Sequence, residues 1–291
     1  MAPNTTQTSR IDYIDIAKAL GMFTVIWGHI MLYGMTNYIV YAFHIPLFFF
    51  LSGMMFRQEK YPTFISFLKK RAKTLLIPYV IYSFATWLVW YGYILFTHSN
   101  VDSVIEPLLQ TFIAQGSGGF LVHNVPLWFV TCLFVVEIGY YGLAKLTQNQ
   151  IIVASIACAV IGTYMMKDYS FFDFKLLPWN IEVAFCAIPF YALGNILMKH
   201  FSHANLIQFV SHPKKKVLAI ATLAICLIIL VFGAWYNKSV SMGHAYLGKN
   251  AFVFYLAAIC GIAIFMAICI KTTELLRNWK TGGYAKIPKM V

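Results

Sequence analysis

Eight stretches of roughly twenty mostly apolar residues recur along this chain, near 14–34, 38–56, 75–97, 125–146, 150–166, 182–199, 216–236 and 250–271. As helices they are long enough to cross a hydrocarbon core of about 30 Å. Within lipid every backbone N–H and C=O must be paired inside the protein, which leaves only helices and closed barrels as spanning structures. No stretch alternates apolar and polar residues at period two, so the barrel drops out. The expected fold is therefore all-α, a polytopic transmembrane bundle of about eight helices. It forms one integral domain over residues 1–271, followed by a short polar tail over 272–291. The fifth and sixth stretches are short, which leaves either free to tilt or re-enter. Only 11% of the 291 residues are charged, too few for the surface of a soluble protein of this length. The first stretch is too long for the apolar region of a signal peptide and no small-residue cleavage site follows it, so it is expected to stay.

Basic residues set the expected orientation, because Lys and Arg in short loops are retained on the cytoplasmic side. With the N-terminus inside, only Lys167, Lys175, Lys238 and Lys249 of the 22 Lys and Arg residues fall outside. Both termini are then cytoplasmic. The net charge of +12 is thereby a topology signal and an attraction to anionic lipid head groups, and it gives no reason to expect a nucleic-acid partner. The six cysteines all fall within predicted spans without a CxxC spacing. They read as small apolar packing residues, and no metal site is expected.

Three polar groups interrupt the first span: Asp15, Lys18 and His29. At 100° per residue the eleven-residue step from Lys18 to His29 closes three turns plus about 20°, and the step from Asp15 to Lys18 leaves about 60°, so all three share one face. Ionisable groups inside a membrane are costly unless they face a cavity or one another, which makes this face a candidate functional stripe. Asp15 is some 21 Å from His29 along the axis and cannot orient its imidazole. In the second span His44 precedes Pro46, and a tight hairpin through Gly34 to Asn37 would bring His44 level with His29. His44 reads either as a functional group or as a histidine bonding a neighbouring helix.

A basic amphipathic segment runs from Arg57 to Lys73. It suits an interfacial helix on acidic lipid and equally a phosphate-binding surface at the mouth of a cavity, where Lys70, Arg71 and Lys73 would bond phosphate oxygens. Two further intramembrane carboxylates are Glu137, expected in an interhelical hydrogen bond, and Glu182, placed near the outer face where it could help His29. Trp128 and Trp179 sit at outer helix ends, as an aromatic belt or as platforms on which a ligand ring could stack. The outer loop 98–124 carries Gly116-Ser-Gly-Gly119 and is either a lid over a site at the outer face or an ordinary connector.

These pieces, in this order, resemble the acyltransferase-3 integral membrane acyltransferases, and within them the group of fucose 4-O-acetylase-like sugar O-acetyltransferases. The residues that carry the resemblance are Lys18 with its spacing to His29, Phe43-His-Ile-Pro-Leu-Phe48 with Leu51-Ser-Gly53, Lys70-Arg-Ala-Lys73 before Pro78-Tyr79, Pro126-Leu-Trp-Phe129, Pro189-Phe-Tyr-Ala-Leu-Gly194 and Phe254-Tyr255. The resemblance implies transfer of an acyl group, usually acetyl, from cytoplasmic acetyl-CoA as donor substrate to a hydroxyl of a surface polysaccharide or lipid-linked sugar. It also implies a bacterial inner membrane, and no permanently bound cofactor. His29 would be general base or acyl carrier, Lys18 the basic residue separated from it by ten others, and His44, Glu182 and Trp128 would contact the acceptor. The donor would meet the basic pair beside the third helix. In this chain Lys70 pairs with Lys73 whereas Arg71 pairs with Thr74, a register that departs from the usual one. Members of the family continue past the helix matching 250–271 with further spans, so an inactive truncated relative is a second reading. A transporter or flippase for a sugar or lipid-linked oligosaccharide is a third, since intramembrane His, Lys and Glu also suit a proton relay. Oligomeric state is left open.

Overall fold

A computed structural model of the protein describes residues 12–30, 34–116, 120–167, 177–201 and 216–283. The described chain is helical, with a single isolated bridge between Ser241 and Tyr246. Its helices are α1 (Asp12–Ile30), α2 (Met35–Met55), α3 (Phe64–Arg71), α4 (Ile77–Thr97), the short α5 (Glu106–Gln110), α6 (Trp128–Leu143), α7 (Gln148–Lys167), α8 (Ile181–His200), α9 (Lys216–Asn237) and α10 (Ala251–Gly283). Among the described residues seven helical runs are long and apolar enough to span a membrane: α2, the continuous run Phe64–Thr97, α6, α7, the run Pro178–His200, α9 and α10. The protein is thus a polytopic helical bundle. The eighth expected span, α1, forms a helix packed on α2 and α10, but with Asp15, Lys18 and His29 along it, it is not among the seven.

The fifth and sixth stretches, expected to be short, form full-length helices in α7 and α8. The last helix also runs further than the apolar pattern, to Gly283, so the polar tail begins as its final turns; residues 284–291 lie outside the described residues. Of the basic residues that set the expected orientation, Arg10, Lys175, Lys214, Lys215, Lys286 and Lys289 also lie outside them.

Helices α2 and α8 form the centre. In each, 61% of the apolar window is buried, against 11% in Phe64–Thr97 and 17% in α9, whose apolar faces are left for lipid. Backbone proximity explains how α2 and α8 pack so closely: a Cβ on Gly53 would lie 2.0 Å from the Tyr191 carbonyl oxygen, and one on Gly194 would lie 2.1 Å from that of Phe50. Small residues at a helix crossing are the usual device for close packing in lipid, where no hydrophobic effect drives helices together. Asn195 reinforces the crossing by donating Nδ2 to the Phe56 carbonyl at 3.1 Å while accepting from the Tyr140 hydroxyl at 3.0 Å.

Between α3 and α4 the helix passes through a π-helical turn, Ala72–Leu76, with the Ile77 N–H bonded to the Ala72 carbonyl five residues back. Pro78 supplies the physical reason. It has no N–H to give the Thr74 carbonyl and its ring crowds that group, so the ladder is relieved by widening one turn. The Thr74 hydroxyl bonds the Lys70 carbonyl at 3.0 Å within the same turn. An added residue turns the segment before it by about 100° relative to α4, and Arg71 is directed into the bundle while Lys70 and Lys73 stay exposed.

Candidate functional site

The α1–α2 hairpin forms the first wall of the site. Asn37 Nδ2 donates to the Gly28 carbonyl at 3.2 Å, tying the start of α2 to the end of α1. Gly28 is needed there, since a Cβ would meet the Tyr41 ring at 2.9 Å. The hairpin brings His29 and His44 to one cavity of about 210 Å³. Met22, Phe48, Trp128 and Phe129 supply its apolar and aromatic walls, and Ser241, Gly243 and His244 close it from the α9–α10 loop. A concave site with aromatic walls and a few convergent polar groups is the usual form of a small-ligand pocket.

His29 is exposed at this cavity, whereas His44 is almost fully buried with Nδ1 2.8 Å from the Val40 carbonyl oxygen. Trp128 packs closely against the α9–α10 loop: a Cβ on Gly243 would lie 2.6 Å from its indole nitrogen. That loop turns through Ala245 at φ 51° and is braced by paired backbone hydrogen bonds between Ser241 and Tyr246. It presents His244 with Nδ1 2.8 Å from the Ser241 hydroxyl. Neither Ser241 nor His244 was expected from the sequence. A Ser-Val-Ser-Met-Gly-His run in a short loop is a turn-forming pattern, and only the packing of Gly243 on Trp128 marks it as part of a site.

Other expected residues lie elsewhere. Lys18 is exposed and does not line the cavity; eleven residues of helix put it about 16 Å from His29 along α1. Glu182 is buried outside the cavity, where Oε1 accepts from Gln115 Nε2 at 3.0 Å and Oε2 has no hydrogen-bond partner. Gln115 belongs to the loop expected either as a lid or as a connector. Within that loop Ala114 to Gly116 is buried and bonded: Gln115 Nε2 also reaches the Leu177 carbonyl, Asn180 Nδ2 bonds the Ala114 carbonyl at 2.8 Å, and the Gly116 N–H bonds Asn180 Oδ1 at 3.2 Å. The partners Trp179 and Asn180 are both left-handed, at φ 61° and 52°. Trp179 is held there by its N–H on the Ile113 carbonyl and its indole N–H on the Phe112 carbonyl. This segment is a plug rather than a free flap; residues 117–119 lie outside the described residues. His123, beyond it, is partly buried with neither ring nitrogen bonded, and burial lowers its imidazole pKa, favouring the neutral form.

At the opposite end, Arg71 Nε lies 3.0 Å from Glu137 Oε2, in an ion pair too bent to count as a hydrogen bond. The Tyr191 hydroxyl donates to the other carboxylate oxygen at 3.4 Å, and the guanidinium lies over the rings of Phe67 and Tyr61. Glu137 thus makes the interhelical contact expected of it. Arg71, expected beside Lys70 and Lys73 as a phosphate ligand, has its charge already partnered. Glu137→Ala leaves a largely enclosed guanidinium without its counter-ion. It is expected to cost about 1–3 kcal/mol, below the value for a fully buried pair because Arg71 keeps 21% of its side chain exposed. Thermal unfolding in detergent measures this loss, and the swap Arg71→Glu with Glu137→Arg should recover part of it.

The cavity and the basic segment lie at different depths. Trp128 and Glu137 are nine residues apart on α6, about 13 Å along the axis. A model of the acyltransferase domain family known as acyltransferase-3 matches residues 11–287. No curated protein and no solved structure matches the chain.

Proposed function

Because the chain belongs to the acyltransferase-3 family of membrane acyltransferases, we propose that it moves an acetyl group from acetyl-CoA to a hydroxyl of a surface polysaccharide or lipid-linked sugar, as the fucose 4-O-acetylase-like members of that family would. The observation that supports this most is the convergence of His29, His44 and His244 on one cavity with the Trp128 ring in its wall. An acyl transfer to oxygen needs a group to receive the hydroxyl proton or to carry the acyl group, and imidazole does either near neutral pH. Trp128 offers a face on which a sugar ring stacks. His29, the exposed imidazole of the cavity, takes part in that proton transfer.

The donor is placed at the basic end. Lys70 and Lys73 are exposed and free to bond its phosphates, and Arg71 holds their segment in position through Glu137. Lys18, exposed about 16 Å from His29 along α1, adds positive charge on this side of the cavity. The extended arm of the donor would then cover the distance between the two ends, with the thioester at the cavity and the nucleotide on the basic side. We place that side in the cytoplasm, in a bacterial inner membrane.

The test is incorporation of radiolabelled acetyl from acetyl-CoA into polysaccharide by membranes carrying the protein. A transporter would move sugar without consuming acetyl-CoA, and no label would be fixed. The donor placement has its own check. Lys70→Ala and Lys73→Ala should each raise KM for acetyl-CoA by about tenfold, the loss of one charge-assisted hydrogen bond at an exposed site, with kcat unchanged. A fall in kcat with KM unchanged would move the donor elsewhere.

A further inference from the structure

The three imidazoles at the cavity are not chemically equal. His44 Nδ1 faces the Val40 carbonyl oxygen at 2.8 Å. A carbonyl can only accept, so Nδ1 must carry the hydrogen and the bond selects the tautomer whose Nε2 bears the lone pair. The Tyr41 ring meets this imidazole edge-on at 4.9 Å, and only 4% of the residue is exposed, so the ring is held as well as its tautomer. His244 Nδ1 faces the Ser241 hydroxyl, which can donate or accept and therefore fixes no tautomer. His29 is exposed. A proton acceptor works best when its basic nitrogen is presented before the reaction, and only His44 has that arrangement built in.

We propose that His44 is the base for the acceptor hydroxyl and that His29 returns the proton to solvent. The inference rests on the acyl-transfer reading above. The acceptor hydroxyl gives its proton to His44 Nε2 while its oxygen forms the new C–O bond at the thioester carbonyl carbon. The C–S bond breaks with its electron pair on sulfur, and the coenzyme A thiolate takes a proton from water. His44, enclosed in the bundle, then passes its proton through the shared cavity to His29, which loses it to solvent. His44 is neutral again at the end of the cycle.

The experiment is the rate of labelled acetyl incorporation from saturating acetyl-CoA, using membranes with the wild-type protein, His44→Gln and His44→Ala at matched amounts. Gln keeps an N–H for the Val40 carbonyl but has no basic nitrogen. His44→Gln is expected to lower the rate by about 10²–10⁴, with KM for acetyl-CoA unchanged. Free imidazole, for which the cavity of about 210 Å³ has room, is expected to restore part of the activity of His44→Ala. An active wild type with an equally active His44→Gln would overturn the proposal and leave acyl transfer standing. Loss in both variants with no response to imidazole would assign His44 to packing and overturn it too. No transfer by the wild type would remove the acyl-transfer reading, and the role of His44 with it.

Discussion

Gly194→Leu is expected to leave no monodisperse protein in detergent, although the residue touches neither the cavity nor the basic segment. The backbones of α2 and α8 approach so closely that a Cβ alone would lie 2.1 Å from the Phe50 carbonyl oxygen and 2.9 Å from the Met54 nitrogen. Both are backbone atoms of a buried helix and cannot rotate away. A leucine must therefore separate the two helices, and this separation breaks the Asn195 bonds to the end of α2 and opens the stack of Phe56, Tyr140 and Tyr191. The milder Gly194→Ala should cost about 1–3 kcal/mol by overpacking, visible as a lower melting temperature. Size-exclusion chromatography and thermal unfolding in one detergent measure both variants. A Gly194→Leu protein that elutes and melts like the wild type would show that this crossing is not what holds the centre of the bundle.

The spans were legible because each is a continuous apolar run, and a run of that length has one stable answer in lipid. The stripe on α1 was legible in part. Angular arithmetic placed Asp15, Lys18 and His29 on one face, but a shared face does not mean a shared cavity, and the rise of the helix leaves Lys18 well below His29. The meeting of His29 with His44 could be expected because the hairpin between them is short. His244 could not, since more than two hundred residues separate it from His29 and its loop earns a place in the site only by packing on Trp128.

Arg71 shows how a local departure changes a reading. The helix turns about 100° from Lys70 to Arg71, which separates Arg71 from the face that Lys70 and Lys73 share, and the π turn that relieves Pro78 sets the angle of this segment to α4 at which Arg71 meets Glu137. Pro78, four residues after Thr74, was the available signal. Glu182 shows the reverse case. Its depth suited an acceptor contact, yet the segment ending at Gly116 folds over it, and the left-handed pair Trp179 and Asn180 that makes this possible has no glycine to announce it.

The central claim, acyl transfer at the cavity, meets its most direct test at His29. His29 is the exposed imidazole of that cavity and lies at the end of α1, so replacing it should leave the buried α2–α8 centre intact. Without it the proton taken from the acceptor has no route to solvent, and an unassisted transfer should be slower by about 10²–10⁴. The measurement is incorporation of radiolabelled acetyl from acetyl-CoA into polysaccharide by membranes carrying the wild-type protein or His29→Ala at matched expression. The account predicts incorporation by the wild type and its loss in the variant. Equal incorporation by both, or none by a folded and abundant wild type, would contradict it.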